Sequence, residues 1–141
     1  MNYKVVYFSK TATSEKIAKK IGEKLNCEVL EITDDMNWKG PVGFVKGGMY
    51  ATQNKPVKIT VHGSLDNADE LIVVSPVWAG HVVPAITAFQ KTRDLKTIHL
   101  VTTSKGSTIG TMSDYQTAHA IIEKEKNEEI IIAALIRLLK S

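Results

Sequence analysis

The sequence lacks the features of most specialised protein classes. It contains a single cysteine, Cys27, so no disulfide can form within the chain. Its longest apolar run, Ile130 to Ile136, is far shorter than the roughly 20 residues that a bilayer requires. The N-terminus leads into a strand pattern rather than a signal peptide, and the four histidines show no metal-ligand spacing. We therefore expect a cytoplasmic protein without a membrane partner or a metal site.

The charges show no strong bias. Lysines and arginines number 18 against 15 aspartates and glutamates, which gives +3 at pH 7. The lysines are scattered over predicted helices instead of forming a stripe beside aromatic residues, so nucleic acid is not an expected partner. The 141 residues, of which 43% are hydrophobic, fit one domain over residues 1–141.

Apolar runs and helical spacing alternate along the chain. Strands are predicted over 3–8, 71–76 and 97–103 from runs of apolar and β-branched residues, and over 28–33 from the alternation of apolar and polar residues. Helices are predicted over 14–26, 82–89 and 115–126 from apolar residues spaced three or four positions apart. The glycine-rich stretch 34–57 predicts a loop with a short helix over 42–51, followed by a short edge strand over 57–61.

The end of the chain is ambiguous between strand and helix. Three consecutive isoleucines at 130–132 favour a strand, whereas the Ala-Ala-Leu-Ile-Arg-Leu-Leu that follows favours a helix. We predict a fifth strand over 130–136, with the closing helix missing or reduced to 137–141. The expected fold is an α/β domain with a doubly wound, five-stranded parallel sheet and helices on both faces.

Three of the predicted strands end in loops suited to a ligand: 9–14, 75–81 and 102–107. In doubly wound sheets, ligands bind beyond the carboxyl ends of the strands, where these loops are expected to meet. The first loop carries four hydroxyl side chains (Ser9, Thr11, Thr13 and Ser14) and one cation, Lys10, directly before a helix. Hydroxyls and helix N–H groups suit a phosphate monoester, and the alternative is a hydroxyl-rich helix cap that binds nothing.

The second loop places a tryptophan beside glycine at the same edge of the sheet. A planar ring could stack on Trp78, since stacked aromatic pairs gain roughly 0.5–1.5 kcal/mol beyond burial. Trp78 could equally cover the core. The combination of a phosphate cradle with a stacking platform favours a ligand that has both a phosphate and a ring.

These motifs resemble the flavodoxins, the small proteins that carry electrons on non-covalent FMN. The stretch Tyr7 to Ala18 resembles the phosphate loop of that family, Gly43-Phe44-Val45-Lys46-Gly47-Gly48 is similar to a segment of its short bacterial members, and Ser75 to Gly80 resembles its second flavin loop. The resemblance spans nearly the whole chain. It implies FMN as the cofactor and a parallel sheet with strand order 2-1-3-4-5.

The resemblance also implies a set of FMN-binding residues. Ser9, Thr11, Thr13 and Ser14 would hold the phosphate, the second loop would flank the isoalloxazine ring, and the third loop would line its other side. The full set comprises Ser9, Lys10, Thr11, Ala12, Thr13 and Ser14; Ser75, Pro76, Val77, Trp78, Ala79 and Gly80; and Thr103, Ser104, Lys105 and Gly106.

Three functions follow from this resemblance. The first is an electron carrier that shuttles one or two electrons between redox proteins and is not itself a turnover enzyme. The second is a flavodoxin-like reductase that passes electrons from NAD(P)H to quinones. The third is a binding module that has lost FMN, because Ala12 stands where the family usually has glycine. The sequence leaves monomer and homodimer open.

Overall fold

The computed structural model describes residues 1–8, 12–53, 55–91, 93–110 and 112–140, and at residue 12 the backbone alone. The described strands are β1 (Tyr3–Tyr7), β2 (Val29–Asp34), β3 (Ile59–His62), β4 (Glu70–Trp78), β5 (His81–Val82), β6 (Ile98–Ser104) and β7 (Thr117–Ile122). The helices are α1 (Ala12–Leu25), α2 (Gly40–Gln53), α3 (Pro84–Gln90) and α4 (Glu128–Lys140). None of the described helices is long and apolar enough to span a membrane.

The strands form one mixed sheet in the order β3-β2-β1-β4-β6-β7, and β5 pairs only with the end of β4. Neighbours from β2 to β7 run parallel, whereas β3 is antiparallel to β2 and closes that edge. The prediction of five strands in the order 2-1-3-4-5 is therefore wrong in number, because β3 and β5 add to the sheet. Both are short antiparallel strands: β3 corresponds to the edge strand predicted over 57–61, whereas β5 has only two residues and was not predicted.

For the last two predicted elements, helix and strand are interchanged in the structure. Residues 117–122, predicted as part of a helix, form strand β7 beside β6, with His99 paired to Thr117 and Ser104 to Ile122. Residues 130–136, predicted as a strand, lie inside helix α4. The closing helix is thus present, and the prediction that it is missing or reduced is wrong.

Helix α4 forms because its apolar side chains share one face despite the run of isoleucines. Ile132 and Leu135 are fully buried against the sheet, whereas Ile130 is 72% exposed. Acidic residues occupy the first turn and basic residues the last, which is the favourable arrangement for the helix dipole. Helical spacing and charge placement outweighed the strand preference of the β-branched residues.

Both faces of the sheet are covered, as the continuous apolar strands predicted. Neighbouring residues in β1 and β4 enter opposite cores: Val5 and Ile72 pack with α1 and α4, whereas Val6 and Val73 pack on the side of α3. The carboxyl ends of β1, β4 and β6 therefore reach the same edge between two layers of helices. That edge carries the candidate site.

A hydrogen-bonded network of four polar side chains lies at the opposite edge of the sheet. The His99 Nε2 atom lies 2.7 Å from Glu70 Oε1, and its Nδ1 atom lies 2.7 Å from Thr117 Oγ1. The His119 Nε2 atom lies 3.0 Å from the same hydroxyl. When His99 is neutral and donates to Glu70, the Thr117 hydroxyl donates to His99 and accepts from His119, so all four side chains have a partner.

This network predicts that the protein loses stability in mild acid. Burial, and next the nearby His99, lower the pKa of His119 below its ordinary value of 6.5. Between 6.5 and that lower pKa the unfolded chain binds a proton that the folded protein does not, so stability falls as the pH falls. Each unit of pKa shift corresponds to about 1.4 kcal/mol. Urea unfolding at pH 7.5 and 5.5 should show a larger loss for the wild type than for His119→Gln.

The control for this prediction is the exposed histidine in strand β5. His81→Gln should keep the full acid sensitivity of the wild type, because His81 is exposed and does not belong to the network of four side chains. Equal acid sensitivity in the wild type and in His119→Gln would contradict the assignment.

Candidate functional site

A cavity of about 650 Å³ lies at the carboxyl edge of the sheet. We call it the main cavity. It is lined by Thr13, Ile17, Phe44, Pro76, Val77, Trp78, Thr103, Ser104, Lys105, Ile121, Ile122, Glu123, Lys126, Asn127 and Glu128. All three predicted loops contribute to it, through Thr13, through 76–78 and through 103–105. The predicted meeting of these loops is therefore a feature of the structure.

The first loop is described only in its second half. Ser9, Lys10 and Thr11 lie outside the described residues, and so does the side chain of Ala12. The backbone of Ala12 begins helix α1, where the right-handed conformation suits alanine. Thr13 is exposed and lines the main cavity, so the N-terminal turn of α1, with its positive dipole end, borders that space.

Two predicted ligand residues use their hydroxyls inside the protein. The Ser14 side chain is buried, and its Oγ lies 3.0 Å from Thr103 Oγ1. This contact ties the start of α1 to the end of β6. Ser75 is also fully buried; its hydroxyl accepts a hydrogen bond from the Val83 N–H at 3.2 Å and donates to the Pro76 carbonyl at 2.8 Å. Both serines hold the loops in place from behind the cavity wall.

Trp78 is held by a tight hairpin. It ends strand β4 and pairs with His81 of β5 across the turn Ala79-Gly80. Both turn residues have positive φ, 50° and 78°, which is the backbone conformation of a type I′ hairpin turn. The turn aims the half-buried indole along the sheet edge, whereas Ala79 and Gly80 are exposed at its tip.

The indole of Trp78 is part of an aromatic cluster. Its ring centroid lies 6.0 Å from that of Phe8 and 5.4 Å from that of Trp38, both edge to face. Trp38 contacts Tyr50 in the same way at 5.4 Å. Its Nε1–H donates to Asp34 Oδ2 at 2.8 Å, and burial raises the pKa of this carboxyl above its ordinary range. Trp78 is thus both a core residue and a cavity wall, the two alternatives left open by the sequence.

The third loop is polar and fixed to the segment after β7. The Ser104 hydroxyl accepts from the Ser107 N–H at 3.0 Å, and the Lys105 carbonyl accepts from the Lys124 N–H at 3.1 Å. Gly106 is exposed beside it, and an added Cβ there would lie 3.8 Å from the Lys124 side chain. The loop therefore offers hydroxyls and a cation to the cavity without an aromatic ring.

The far wall carries charges of both signs. Lys105 and Lys126 line the cavity together with Glu123 and Glu128. Lys20 forms an ion pair with Glu128 at 2.5 Å, which offsets that carboxylate. Lys20 also pairs with Glu129 at 3.0 Å, so the charges around this wall are balanced.

Several lining residues were absent from the sequence prediction. The largest group comes from the end of β7 and the start of α4: Ile121, Ile122, Glu123, Lys126, Asn127 and Glu128. They were missed because a helix was predicted where β7 lies and a strand was predicted where α4 lies. Phe44 lay in a quoted motif but had no assigned role, although it is 78% exposed at the cavity. No group of three or more metal-ligating side chains occurs among the described residues.

Comparison with known proteins gives structural matches only. No protein-family model and no curated protein sequence matches the chain. A flavoprotein from Lactobacillus acidophilus, solved in complex with FMN, is 16% identical with a TM-score of 0.65, over 92% of this chain and 97% of its own. A protein from Bacteroides eggerthii is 19% identical with a TM-score of 0.68, over 99% and 98%. The apo form of the Lactobacillus protein aligns with a TM-score of 0.55, at 18% identity, over 85% and 88%.

These matches concern the fold. At such low identity, near-complete coverage of both chains shows that this chain has a flavodoxin-like α/β fold. The resemblance to flavodoxins, predicted from three sequence motifs, is therefore confirmed for the fold.

Proposed function

We propose that the chain binds FMN in the main cavity and carries electrons between redox partners. The observation that carries this proposal is the meeting of Thr13, Trp78 and Thr103 around one cavity of about 650 Å³. This volume lies within the roughly 300–1,000 Å³ of ordinary small-molecule sites. The Lactobacillus protein of the same fold was solved with FMN, which supports the same ligand here.

The residues present fit the two ends of FMN. The start of helix α1, with the Thr13 hydroxyl, suits the phosphate, and the predicted cradle residues Ser9, Lys10 and Thr11 directly precede it. Trp78 and Phe44 supply aromatic surface for the ring at the other end. Since Ala12 begins a right-handed helix, it gives no backbone reason for the loss of FMN.

The carrier role rests on the exposure of the cavity mouth. FMN supplies one- and two-electron chemistry, and the protein positions it and excludes or admits partners. Phe44 stands at the mouth and is 78% exposed, so a ring bound against it lies close to the protein surface. A partner protein could therefore approach the flavin closely.

Titration of the purified protein with FMN tests the proposal. We expect one FMN per chain, with a shifted flavin absorption band and quenched flavin fluorescence. Riboflavin lacks the phosphate and should bind at least about tenfold more weakly, because a charge-assisted hydrogen bond contributes about 1.5–3 kcal/mol. Thr13→Val should weaken FMN binding by a similar factor and leave riboflavin binding nearly unchanged.

The matched control is Thr60→Val, an exposed threonine on the edge strand β3. It should bind FMN like the wild type. No binding at micromolar FMN would contradict the cofactor and favour a module without FMN. Steady NAD(P)H oxidation by the FMN-loaded protein alone would contradict the carrier role and favour a reductase.

A further inference from the structure

Helix α2 carries an apolar stripe on its outer side. Val42, Val45 and Met49 are spaced three and four positions apart and are 79%, 62% and 45% exposed. Together with Pro41 and Lys46 they line a surface groove of about 480 Å³. We call this surface the α2 face. Soluble proteins rarely expose contiguous apolar surface unless it binds another molecule.

The packing of the helix does not explain this apolar stripe. The inner side of α2 consists of Gly43, Gly47 and Ala51, which are buried in the protein. Among the described residues, seven large apolar side chains are exposed, and four of the seven belong to α2. Since these side chains lie in water on the side away from the core, they contribute no buried area to the fold. They would contribute if a partner covered them.

The segment around α2 carries positive charge only. Residues 36–65 contain four lysines and no aspartate or glutamate, so the positive net charge of the chain arises in this segment. Among the described residues, no carboxylate lies within ion-pair distance of Lys39 or Lys46. Lys39 directly precedes α2, whose first turn has no acidic residue, so its charge opposes the helix dipole. The lysines therefore give the α2 face a positive border that does not serve the helix itself.

The α2 face lies beside the main cavity. Phe44 stands on the same helix between Val42 and Val45, is 78% exposed and lines that cavity. A protein docked on the α2 face would therefore lie next to the cavity mouth. This position suits a partner that exchanges electrons with a cofactor in the main cavity.

We propose that the α2 face docks an acidic redox protein. The apolar centre of this partner packs on Val42, Val45 and Met49. Its carboxylates pair with Lys39 and Lys46, which accelerates the encounter at low salt. Weak complexes between electron-transfer proteins bury less than about 1,200 Å² in total, so one helix face with its bordering lysines is large enough. The redox role of the partner rests on the proposed FMN function, whereas the docking rests on the α2 face alone.

Two other occupants match the α2 face less well. A second copy that paired through this face about a two-fold axis would bring the two Lys46 side chains together near the middle of the stripe. No acidic residue in the segment would separate them. Anionic membranes are recognised by clusters of about four to eight basic residues, and this face is bordered by Lys39 and Lys46 only. A protein that presents a few carboxylates around an apolar centre matches both features.

The test uses a plant-type ferredoxin, an acidic iron–sulfur protein, as the probe. Isothermal titration at low ionic strength should show saturable binding to the purified chain, with or without FMN, and the affinity should fall as salt is added. Lys39→Glu should bind ferredoxin at least about fivefold more weakly, and Val45→Gln at least about threefold. Neither residue lines the main cavity, so both variants should bind FMN like the wild type.

These variants separate docking from folding. Glutamate at residue 39 suits the positive end of the helix dipole, and glutamine is a better helix former than valine at the exposed residue 45. Both variants should therefore be at least as stable as the wild type in urea. A folding defect would not explain their loss of ferredoxin affinity.

The matched controls lie on the other side of the sheet. Lys24→Glu reverses an exposed charge in the last turn of α1, and Ile130→Gln removes a 72% exposed apolar side chain from α4. Both should bind ferredoxin like the wild type. Unchanged affinity in Lys39→Glu and Val45→Gln, or binding that does not depend on salt, would overturn the proposal.

Two further measurements distinguish the other occupants. Dimers of the wild type that are absent in Val45→Gln, seen by analytical ultracentrifugation, would show that a second copy covers the α2 face. Cosedimentation with vesicles of phosphatidylglycerol and phosphatidylcholine, lost in the same variant, would show that a membrane covers it. Either result would overturn the assignment to an acidic protein.

Stopped-flow mixing of the FMN-loaded protein with reduced ferredoxin tests the redox role. Each ferredoxin loses one electron, and two such electrons with two protons from the solvent reduce one FMN. The rate should fall with added salt and fall in Lys39→Glu. An unchanged rate in that variant would overturn the redox role of the α2 face. Ferredoxin binding by a chain that binds no FMN would refute the proposed function and leave the docking surface standing.

Discussion

Trp78→Ala is expected to weaken FMN binding at least about tenfold and to lower the free energy of unfolding by about 3 kcal/mol. Both effects come from one side chain because the indole has two roles. Its inner surface packs edge to face on Phe8 and Trp38 at centroid distances of 6.0 and 5.4 Å. Its outer surface lines the main cavity. Alanine would leave a void between α2 and the sheet and remove the ring on which the flavin would stack.

FMN titration measures the loss of affinity, and urea unfolding followed by far-UV circular dichroism measures the loss of stability. Trp78→Phe is the matched variant, because it keeps an aromatic ring while reducing the buried volume. It should retain most of the FMN affinity and lose about 1–1.5 kcal/mol of stability. FMN binding by Trp78→Ala with the affinity of the wild type would show that the ring does not stack on this residue.

The predictable part of the fold was its central sheet. The runs that became β1, β4 and β6 are apolar without strict alternation, and a strand covered on both faces needs that composition, whereas β2 was predicted from alternation. Such a strand is recognised from its own residues. The C-terminal end of the chain was different, because Thr117–Ile122 has only two large apolar residues and owes its strand form to pairing with β6. Pairing of that kind leaves no local pattern.

The site was predictable as a location more than as a set of contacts. Hydroxyl residues and a tryptophan that follow strands must meet at the carboxyl edge of a parallel sheet, and Thr13, Trp78 and Thr103 do so. The sequence could not reveal that Ser14 and Ser75 bond inside the protein, because both partners are distant in the chain or created by the hairpin. The role of Phe44 in the cavity wall could not be predicted either, since its position depends on how α2 packs on the sheet.

Helix α2 was predicted as a helix but is longer than predicted. A short helix over 42–51 was predicted, and the structure has 14 residues of helix over Gly40–Gln53. Glycines disfavour a helix by about 1 kcal/mol each in isolation. Here Gly43 and Gly47 are buried and let the helix lie directly on Trp38 and Trp78. Tertiary packing compensates for the poor propensity, so the helix should depend strictly on those two glycines.

Gly43→Ala is therefore expected to destabilise the protein by about 3 kcal/mol or more, the upper range for overpacking. The new Cβ would lie 2.1 Å from the Trp38 carbonyl carbon and 2.2 Å from its oxygen. These are backbone atoms, so no side-chain rotation relieves the clash. Helix α2 must move away from Trp38, which also displaces Phe44 from the main cavity.

Gly48→Ala is the matched control on the same helix, because its Cβ meets nothing closer than 3.9 Å. The same glycine-to-alanine change should there stabilise the protein by roughly 0.5–1 kcal/mol. Urea unfolding of both variants measures the difference, and tryptophan fluorescence reports whether Trp38 and Trp78 keep their environment. Equal stability of the two variants would show that α2 does not rest on the Trp38 backbone, and the position of Phe44 at the main cavity would then lose its physical basis.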